Sequence, residues 1–339
     1  MVRLAVPIGD PAGVGPEVLA RALHASLQAP EPPTVLLIGD AGVWAEAQRT
    51  ARVELPARPA DRPEALTAAG VAFLDLPADD RSWIPGQMSP AAGKAAAQWL
   101  EHAVRLALGG FADAVVFAPL NKQAMIRAGV AVRDEYELCA SLAGVTDHDE
   151  MNVIPHPAHD QAGADLLWVA RATSHVALRE VASLLTVDLV LRTIRLAHRA
   201  ASSAGARAPR IGVAALNPHA GDGGLFGDEE RRVIEPAIAA AAAEGIVVTG
   251  PHAPDHIFRR ARAGELDVVV AMYHDQAQIA TKLLGFERGV SVGVGYPFVL
   301  TTPSHGTAFD IVGKGIADPG PMRQALLIAE RLAEARTVV

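Results

Sequence analysis

One stretch of the sequence decides the fold: Leu4-Ala5-Val6-Pro7-Ile8-Gly9-Asp10-Pro11-Ala12-Gly13-Val14-Gly15-Pro16-Glu17. Its apolar run, Leu4–Ile8, is typical of a short buried strand, and Pro16 falls where the first turn of a helix tolerates proline. Backbone amides at such a helix start can bind an anion, and we predict that Asp10 contacts the substrate. The turn lacks the G-x-G-x-x-G spacing of the dinucleotide-binding fingerprint, so a tight turn with a structural role only is an equal alternative.

Further apolar runs recur along the chain, with Ala-rich helical patterns between them. This alternation predicts an α/β fold with mostly parallel sheets. At roughly 150 residues per domain, the 339 residues correspond to two α/β/α domains, which we place at residues 1–133 with 301–339 and at residues 134–300. The other predicted strands are Val35–Ile38, Ala114–Phe117, Leu166–Val169, Ile211–Leu216, Ile246–Val248 and Val268–Met272. The predicted helices are Pro16–Leu27, Ala91–Leu108, Leu178–Ala200 and Asp228–Ala243.

Composition excludes several classes of protein. The formal net charge of −8 disfavours a nucleic-acid-binding surface. A single cysteine, Cys139, excludes a disulfide framework within the chain and favours a reducing compartment. No apolar stretch is long and uninterrupted enough to predict a membrane span. We therefore expect a cytoplasmic enzyme with no nucleic-acid or membrane partner.

Three histidines, His175, His219 and His274, each follow a predicted buried strand. Because the C-terminal ends of parallel strands form the ligand crevice of an open α/β sheet, the three side chains can converge there. Three imidazoles with an open coordination position suit catalytic Zn²⁺; Co²⁺ and Ni²⁺ also accept nitrogen ligands, whereas Mg²⁺ prefers oxygen. Their long spacings match no short metal motif, so ordinary surface or core histidines are the alternative.

Two further features can carry chemistry. Lys122 follows the predicted strand Ala114–Phe117, where a lysine binds a carboxylate or phosphate or transfers a proton; an ordinary helix-start lysine is the alternative. Gly289–Pro319 is rich in small residues that let the backbone approach a flat ligand, and Asp310 can accept hydrogen bonds from ribose hydroxyls. A long crossing loop between domains is the alternative for this segment.

Four motifs occur in a characteristic order: Gly9–Glu17, Asn217-Pro218-His219-Ala220-Gly221, Met272-Tyr273-His274-Asp275-Gln276 and His305-Gly306-Thr307-Ala308. From residue 4 to about residue 325, the chain resembles the 4-hydroxythreonine-4-phosphate dehydrogenase (PdxA) family. His305–Pro319 is also similar to the cofactor loop of isopropylmalate and isocitrate dehydrogenases. The resemblance implies an isopropylmalate-dehydrogenase-like fold with the active site in the interdomain cleft.

The resemblance also implies ligands and a reaction. It implies that NAD⁺ oxidises a secondary alcohol beta to a carboxylate and that the 3-oxo acid then loses CO₂. It further implies an obligate homodimer whose active sites draw on both subunits, and Asp310 favours NAD over NADP. The implied metal ligands, for Zn²⁺ first and Co²⁺, Ni²⁺ or Mg²⁺ as alternatives, are His175, His219 and His274. The implied NAD-binding residues are His305, Gly306, Thr307, Ala308 and Asp310. Lys282 is an implied substrate contact, and Lys122 and Asp275 are the candidate proton acceptors.

Four substrate-contacting positions depart from the family pattern. Where the family has Gly-His-Thr-Glu after the Ala-Gly-Val that follows Asn-Lys, this chain has Asp134-Glu135-Tyr136-Glu137. The substrate-binding asparagine and arginine of the family correspond here to Ser291 and Leu300. Loss of an arginine fork and gain of a carboxylate both disfavour phosphate. We therefore predict a small hydroxy-acid substrate other than 4-hydroxythreonine 4-phosphate.

Alternative functions remain open. The dihydrodiol dehydrogenases of terephthalate breakdown resemble this family, oxidise an unphosphorylated cyclic diol carboxylate and look apolar at the position of Leu300. A true 4-hydroxythreonine-4-phosphate dehydrogenase of pyridoxal phosphate synthesis is the second alternative. A metal-dependent hydrolase using the three histidines without NAD, and a ligand-binding relative without activity, are remote alternatives.

Overall fold

The computed structural model describes residues 2–29, 32–60, 70–158, 166–285 and 288–337. The chain forms two compact units, a first unit of Met1–His148 with Val290–Val339 and a second unit of Asp149–Gly289. This division differs from the predicted domain limits at residues 133 and 300. Glu135, Tyr136, Ser291 and Leu300 consequently belong to the first unit.

The strands follow one another along the chain as short segments. Their bounds are β1 Arg3–Pro7, β2 Thr34–Gly39, β3 Ala57–Pro59, β4 Gly70–Asp75, β5 Ala114–Val116, β6 Asp149–Pro155, β7 Leu166–Arg171, β8 Ile211–Ala214, β9 Val248–His252, β10 Val268–Ala271, β11 Val290–Val294 and β12 Val299–Pro303.

Helices connect most of these strands. Their bounds are α1 Gly15–Ser26, α2 Ala41–Ala51, α3 Pro90–Leu108, α4 Lys122–Arg127, α5 Glu135–Ala143, α6 Val181–Leu184, α7 Val187–Ser203, α8 Glu235–Ala243, α9 Pro254–Arg262, α10 His274–Gly285 and α11 Gly320–Thr337. Within the part of the chain that the structure describes, none of these helices has the length and apolar character needed to cross a lipid bilayer.

The first unit is built on a mostly parallel sheet with the order β3-β4-β2-β1-β5-β12-β11. Only the β11–β12 pair is antiparallel among the registered pairs of this unit. Every residue of β2 is buried, so both faces of the sheet are covered, as in parallel sheets generally. α3 packs against β1, β2 and β5, and α11 packs against β5, β11 and β12.

The second unit contains strands in the order β6-β7-β10-β8-β9. β7, β10, β8 and β9 run parallel, whereas β6 is antiparallel to β7. β10 is the central strand of this sheet, between β7 and β8. All four of its residues, Val268-Val269-Val270-Ala271, are buried, as expected for a central strand. The C-terminal ends of β7, β10 and β8 therefore lie at the same edge. The predicted α/β class with mostly parallel sheets is confirmed.

Three predicted elements need correction. The predicted helix Leu178–Ala200 is interrupted: a 3₁₀ turn and α6 precede α7, because the Thr186 hydroxyl accepts a hydrogen bond from Leu189 N and caps a new helix there. The predicted helix Asp228–Ala243 begins with a π-helical turn, Glu230–Ile234. The segment Gly289–Pro319 is not a continuous loop, since it contains the antiparallel strands β11 and β12.

Candidate active site

The three predicted metal ligands follow three adjacent strands of the second unit. His175 comes shortly after β7, His219 after β8 and His274 at the end of β10, where α10 begins. The backbone after β7 is tied to the backbone after β10: Ala172 N donates to Ala271 O at 2.9 Å, and Thr173 Oγ1 donates to Met272 O at 2.8 Å.

This pairing brings two of the three imidazoles together. The ring centroids of His175 and His274 are 5.7 Å apart. The carboxylate of Asp275 lies 2.7 Å from His274 Nδ1. A carboxylate on one ring nitrogen fixes the tautomer and leaves the other nitrogen, Nε2, able to bind a metal.

Gln276 links the end of β10 to the end of β8. Its side-chain oxygen accepts a hydrogen bond from Met272 N at 2.7 Å, and its Nε2 donates to Ala215 O at 2.9 Å. The side chain therefore fixes the spacing between the strand ends that carry His274 and His219. Gln276 belongs to the motif Met272-Tyr273-His274-Asp275-Gln276, but nothing in the sequence marks it as the residue that links the two strand ends.

His219 lies on an unusual turn. The residues from His219 to Gly223 all have positive φ, including the non-glycine residues His219 (52°), Ala220 (56°) and Asp222 (43°). Each such residue costs about 1–2 kcal/mol relative to right-handed backbone. Strain of this kind persists only where the surroundings hold it, and it concentrates at functional sites. The structure thus places His219 on a strained, exposed turn.

The three histidines do not form a complete metal site within this chain. Across the described residues, no three His, Cys, Asp or Glu side chains are grouped so that they can hold a metal ion. The His219 ring instead contacts Phe226, with centroids 6.4 Å apart. The assignment of the three histidines as ligands therefore stays a prediction, supported by the His175–His274 pair.

Asp10 is buried beneath the first strand-to-helix turn of the first unit. Its Oδ1 accepts a hydrogen bond from Ala12 N at 2.8 Å, whereas Oδ2 is buried without a hydrogen-bond partner. Burial raises the pKa of Asp10 to about 6, against the opposing effect of the Ala12 and Gly13 backbone amides. With no exposed surface, Asp10 shapes the turn, and its predicted contact with substrate stays a prediction.

Lys122 and Glu135 face each other at the starts of two helices. Asn121 caps α4, which begins at Lys122, and Asp134 caps α5, which begins at Glu135. Lys122 Nζ lies 3.6 Å from Glu135 Oε1. The Glu135 side chain is only 10% exposed, so this carboxylate is held beside the Lys122 ammonium.

The predicted cofactor residues follow β12 and contact the first turn. Val14 N donates to Thr307 O at 2.9 Å, and Ala308 has a left-handed conformation. His305 Nδ1 lies 3.0 Å from Gly306 O, which requires the proton on Nδ1. Burial lowers the pKa of His305, and its Nε2 is buried without a hydrogen-bond partner. The ring is therefore neutral with Nε2 as an acceptor, and Asp310, five residues further along the chain, is exposed.

The remaining predicted substrate residues are scattered. Tyr136 and Ser291 are about 5% exposed, and Leu300 has no exposed surface. Tyr136 packs edge-on against Phe117 with ring centroids 6.1 Å apart. These three side chains belong to the interior of the first unit, whereas Lys282 is exposed on α10 of the second unit. Their contacts with a substrate stay predictions.

The comparisons with known proteins place the chain in a family. Residues 31–329 match the family described as "Pyridoxal phosphate biosynthetic protein PdxA". A 4-hydroxythreonine-4-phosphate dehydrogenase from Beijerinckia indica is 40% identical over 341 residues, which cover 97% of this chain and 94% of the relative.

Solved structures agree. A 4-hydroxythreonine-4-phosphate dehydrogenase from Klebsiella pneumoniae superposes with a TM-score of 0.84 at 36% identity and covers 98% of this chain and 100% of its own. A terephthalate 1,2-cis-dihydrodiol dehydrogenase from Burkholderia xenovorans has a TM-score of 0.62 at 29% identity, with 95% of each chain covered. A β-decarboxylating dehydrogenase from Thermococcus kodakarensis, 16% identical with a TM-score of 0.50, shares the fold alone. The chain belongs to the PdxA family.

Proposed function

We propose that the chain is an NAD-dependent, divalent-metal-dependent dehydrogenase that oxidises a secondary alcohol beta to a carboxylate, with decarboxylation of the 3-oxo acid. One observation carries the proposal: three histidines follow the C-terminal ends of three adjacent parallel strands, β7, β8 and β10. They are His175, His219 and His274. The dehydrogenases named among its relatives, which span nearly the whole chain, support the reaction class.

A divalent cation that accepts imidazole nitrogen, Zn²⁺ before Co²⁺ or Ni²⁺, fits the donors better than Mg²⁺, which prefers oxygen. His175 and His274 offer two imidazoles at a separation that suits a common ion, and Asp275 orients the second ring. His219 would supply the third nitrogen. Such an ion, when bound, supplies polarisation of the substrate hydroxyl.

NAD is the proposed hydride acceptor, and its nicotinamide supplies the redox chemistry when bound. The buried Nε2 of His305 can accept a hydrogen bond from the cofactor because the proton of the ring is on Nδ1. Exposed Asp310 can accept hydrogen bonds from ribose hydroxyls and would repel a 2′-phosphate. Gly306, Thr307 and Ala308 belong to the same loop as His305 and Asp310, so their polar groups are also proposed to contact NAD.

Proton transfer is assigned to Lys122 rather than to Asp275. The Asp275 carboxylate is hydrogen-bonded to His274 Nδ1 and serves to orient that ring. Lys122 can donate a proton from Nζ as an ammonium or accept one there as a neutral amine, and its side chain is paired with Glu135. This division of roles leaves each charged group with one task.

The proposed substrate is a hydroxy acid without a phosphate group. Glu135 supports this choice, because its carboxylate lies within an ion pair of Lys122 and would repel a phosphate that approached the same lysine. Leu300 supports it as well, since a buried leucine offers no donor at the arginine position of the family. A cis-dihydrodiol carboxylate is one candidate, in keeping with the 29% identical structure.

A second candidate is 4-hydroxythreonine 4-phosphate itself. The names of the 36–40% identical relatives favour it. The deciding experiment measures NADH formation with Zn²⁺, Co²⁺ or Mg²⁺ on 4-hydroxythreonine 4-phosphate, erythronate and threonate 4-phosphates, and cyclic dihydrodiol carboxylates.

We expect efficient turnover of unphosphorylated diols and only weak turnover, with a high KM, of the phosphorylated compounds. Glu135→Gln should then lower KM for the phosphorylated compounds about tenfold, because a charge pair at this distance contributes about 1–4 kcal/mol. Glu137→Gln, on an exposed carboxylate of the same helix paired with Arg133, is the control. Efficient turnover of 4-hydroxythreonine 4-phosphate by the unmodified enzyme would contradict the substrate proposal, and NAD-independent turnover would contradict the reaction class.

A homodimer with shared active sites is also proposed. Leu178, Leu225 and Leu283 of the second unit are each more than 70% exposed. Burying a leucine of this kind in a subunit interface contributes about 1.5–3 kcal/mol. Sedimentation over a dilution series should show a dimer, and Leu283→Glu should weaken it while Leu108→Glu, at an exposed leucine of the first unit, should not; an active monomer would contradict this proposal.

A further inference from the structure

The backbone before the His219 turn is held by a buried carboxylate that follows the turn in the chain, on Glu230. Glu230, which begins the π-helical turn Glu230–Ile234, is 3% exposed. Its Oε1 accepts hydrogen bonds from Leu216 N at 2.9 Å and Asn217 N at 2.8 Å. Its Oε2 accepts a third from Asn217 Nδ2 at 3.0 Å. One side chain thus fixes two consecutive peptide units just before the turn.

The turn is also shaped around this carboxylate. A Cβ atom on Gly221 would lie 2.7 Å from Glu230 Oε2, and a Cβ atom on Gly227 would lie 2.4 Å from Asn217 Nδ2. Glycine is therefore needed where the chain closes over the Glu230–Asn217 pair. The strained positive φ values at His219, Ala220 and Asp222 lie on either side of Gly221, the first of these two glycines.

Among the described residues, the neighbouring carboxylates do not share the two backbone contacts of Glu230. Glu229 accepts a hydrogen bond only from the Asn217 side chain, at 2.7 Å. Glu235, at the start of α8, is exposed to solvent. A hydrogen bond to a charged acceptor is roughly twice as strong as a neutral one, and Glu230 alone among these three directs its charge at the backbone that carries His219.

We propose that Glu230 is a positioning residue that holds the turn of His219 in its left-handed conformation and so presents the imidazole as a metal ligand. The inference rests on the proposed metal site. Groups that orient metal ligands from behind typically change affinity 10–100-fold when they are removed. The sequence placed Glu230 only in the acidic first turn of a predicted helix, which would leave it exposed.

Co²⁺ is the probe, because its visible absorption reports the number and kind of its ligands. The unmodified protein is titrated with Co²⁺ beside Glu230→Gln, Glu230→Asp, His219→Ala and the double variant His219→Ala/Glu230→Gln. Glu235→Gln, which removes the same charge from the surface, is the matched control. Urea unfolding reports which variants are folded, and hydrogen exchange of residues 216–227 reports the turn without any metal.

We expect Glu230→Gln to bind Co²⁺ 10–100-fold more weakly, with a spectrum like that of His219→Ala and with faster exchange in residues 216–227. Glu235→Gln should match the unmodified protein. Because Glu230 acts through His219, the double variant should bind no more weakly than His219→Ala alone. If Glu230→Gln does not fold, Glu230→Asp carries the same comparison, since its shorter side chain can no longer reach both amides.

Two outcomes overturn the inference in distinguishable ways. Unchanged Co²⁺ affinity and spectrum in folded Glu230→Gln or Glu230→Asp, with His219→Ala impaired, would leave the proposed metal site standing and remove Glu230 from it. Additive losses of Co²⁺ affinity in the double variant would show that Glu230 does not act through His219, and would also leave the proposed metal site standing. Absence of Co²⁺ uptake by the unmodified protein would overturn the proposed metal site and this inference together.

Discussion

Two turns that follow parallel strands, one in each unit, are held in opposite ways. The turn after β1 is buried and fixed by backbone hydrogen bonds, among them Asp10 N to Pro119 O and Val14 N to Thr307 O. Its left-handed residue is a glycine, Gly9, at φ +86°. The turn after β8 is exposed, has left-handed non-glycine residues and depends on the Glu230 side chain.

This difference separates two ways of building a ligand-binding loop. Where glycine and the backbone fix the loop, its conformation costs little free energy, but the loop tolerates no added side-chain volume. Where a buried side chain fixes it, the loop keeps functional side chains at strained positions, and their conformation depends on that side chain. Four substitutions test this difference through their effect on the free energy of unfolding.

The largest effect is expected for Gly9→Ala. The new Cβ atom would lie 2.9 Å from both Ala118 Cβ and Pro119 O, and φ is +86°. Overpacking and left-handed strain together should cost about 4 kcal/mol in the free energy of unfolding, measured with urea. Gly129→Ala is the control, since Gly129 has φ +87° but nothing within 4 Å of its added Cβ. It should lose only about 1 kcal/mol; equal losses would mean that close packing does not define the first turn.

A smaller, pH-dependent effect is expected for Asp10→Asn. Burial raises the pKa of Asp10 to about 6 from its ordinary 3.8, so the folded state binds more protons than the unfolded state between these values, and wild-type stability falls as pH rises through them. Asparagine does not ionise. The variant should therefore gain up to about 3 kcal/mol relative to wild type between pH 4 and pH 7, at roughly 1.4 kcal/mol per pH unit.

Asp113→Asn should show the opposite trend. Burial raises the pKa of Asp113, but hydrogen bonds and the charge of Arg3 outweigh burial and hold it below its ordinary value. This stability is present above the unfolded pKa and is lost as pH falls through the folded pKa. The variant should therefore lose stability relative to wild type as pH rises toward about 4, and the difference should stay level from there to about pH 7. Parallel pH profiles for the two variants would exclude a buried, ionised Asp10 as a destabilising group.

The smallest effect is expected for Ala220→Gly in the His219 turn. Glycine adopts φ +56° without the strain of a Cβ atom, so thermal unfolding should show a gain of about 0.5–1 kcal/mol. Ala239→Gly, at an exposed position within α8, should instead lose about 0.5–1 kcal/mol because glycine is a poor helix former. Destabilisation by Ala220→Gly would show that the turn is not strained.

Much of the fold could be predicted because its signals are local. The apolar runs that became β1, β2, β5, β7, β8 and β10 are short, continuous and bounded by turn residues. The helix break at Thr186 was missed because its capping bond competes with an otherwise continuous apolar period. The sequence does not predict β11 and β12, because Gly293 and Pro303 weaken their strand signal.

The site residues also divide into those that a local sequence signal marks and those that it does not. The motif around His219 and the strand-end positions of His175 and His274 could be found in the sequence, because a ligand-binding residue must follow its strand closely. Gln276 and Glu230 could not be assigned roles, because their partners are backbone groups of other segments. A glutamate in the first turn of a helix has the same sequence signature whether it is exposed or buried.

By itself, the sequence determined the α/β class, the family and the strand-end histidines, since short apolar runs and ordered motifs survive without knowledge of distant contacts. Only the tertiary structure decided that Lys122 is paired with Glu135, that Asp10 is buried and that Glu230 holds the His219 turn. Those facts depend on which distant segments meet. Burial and charge pairing are set by three-dimensional neighbours, and no spacing along the chain specifies them.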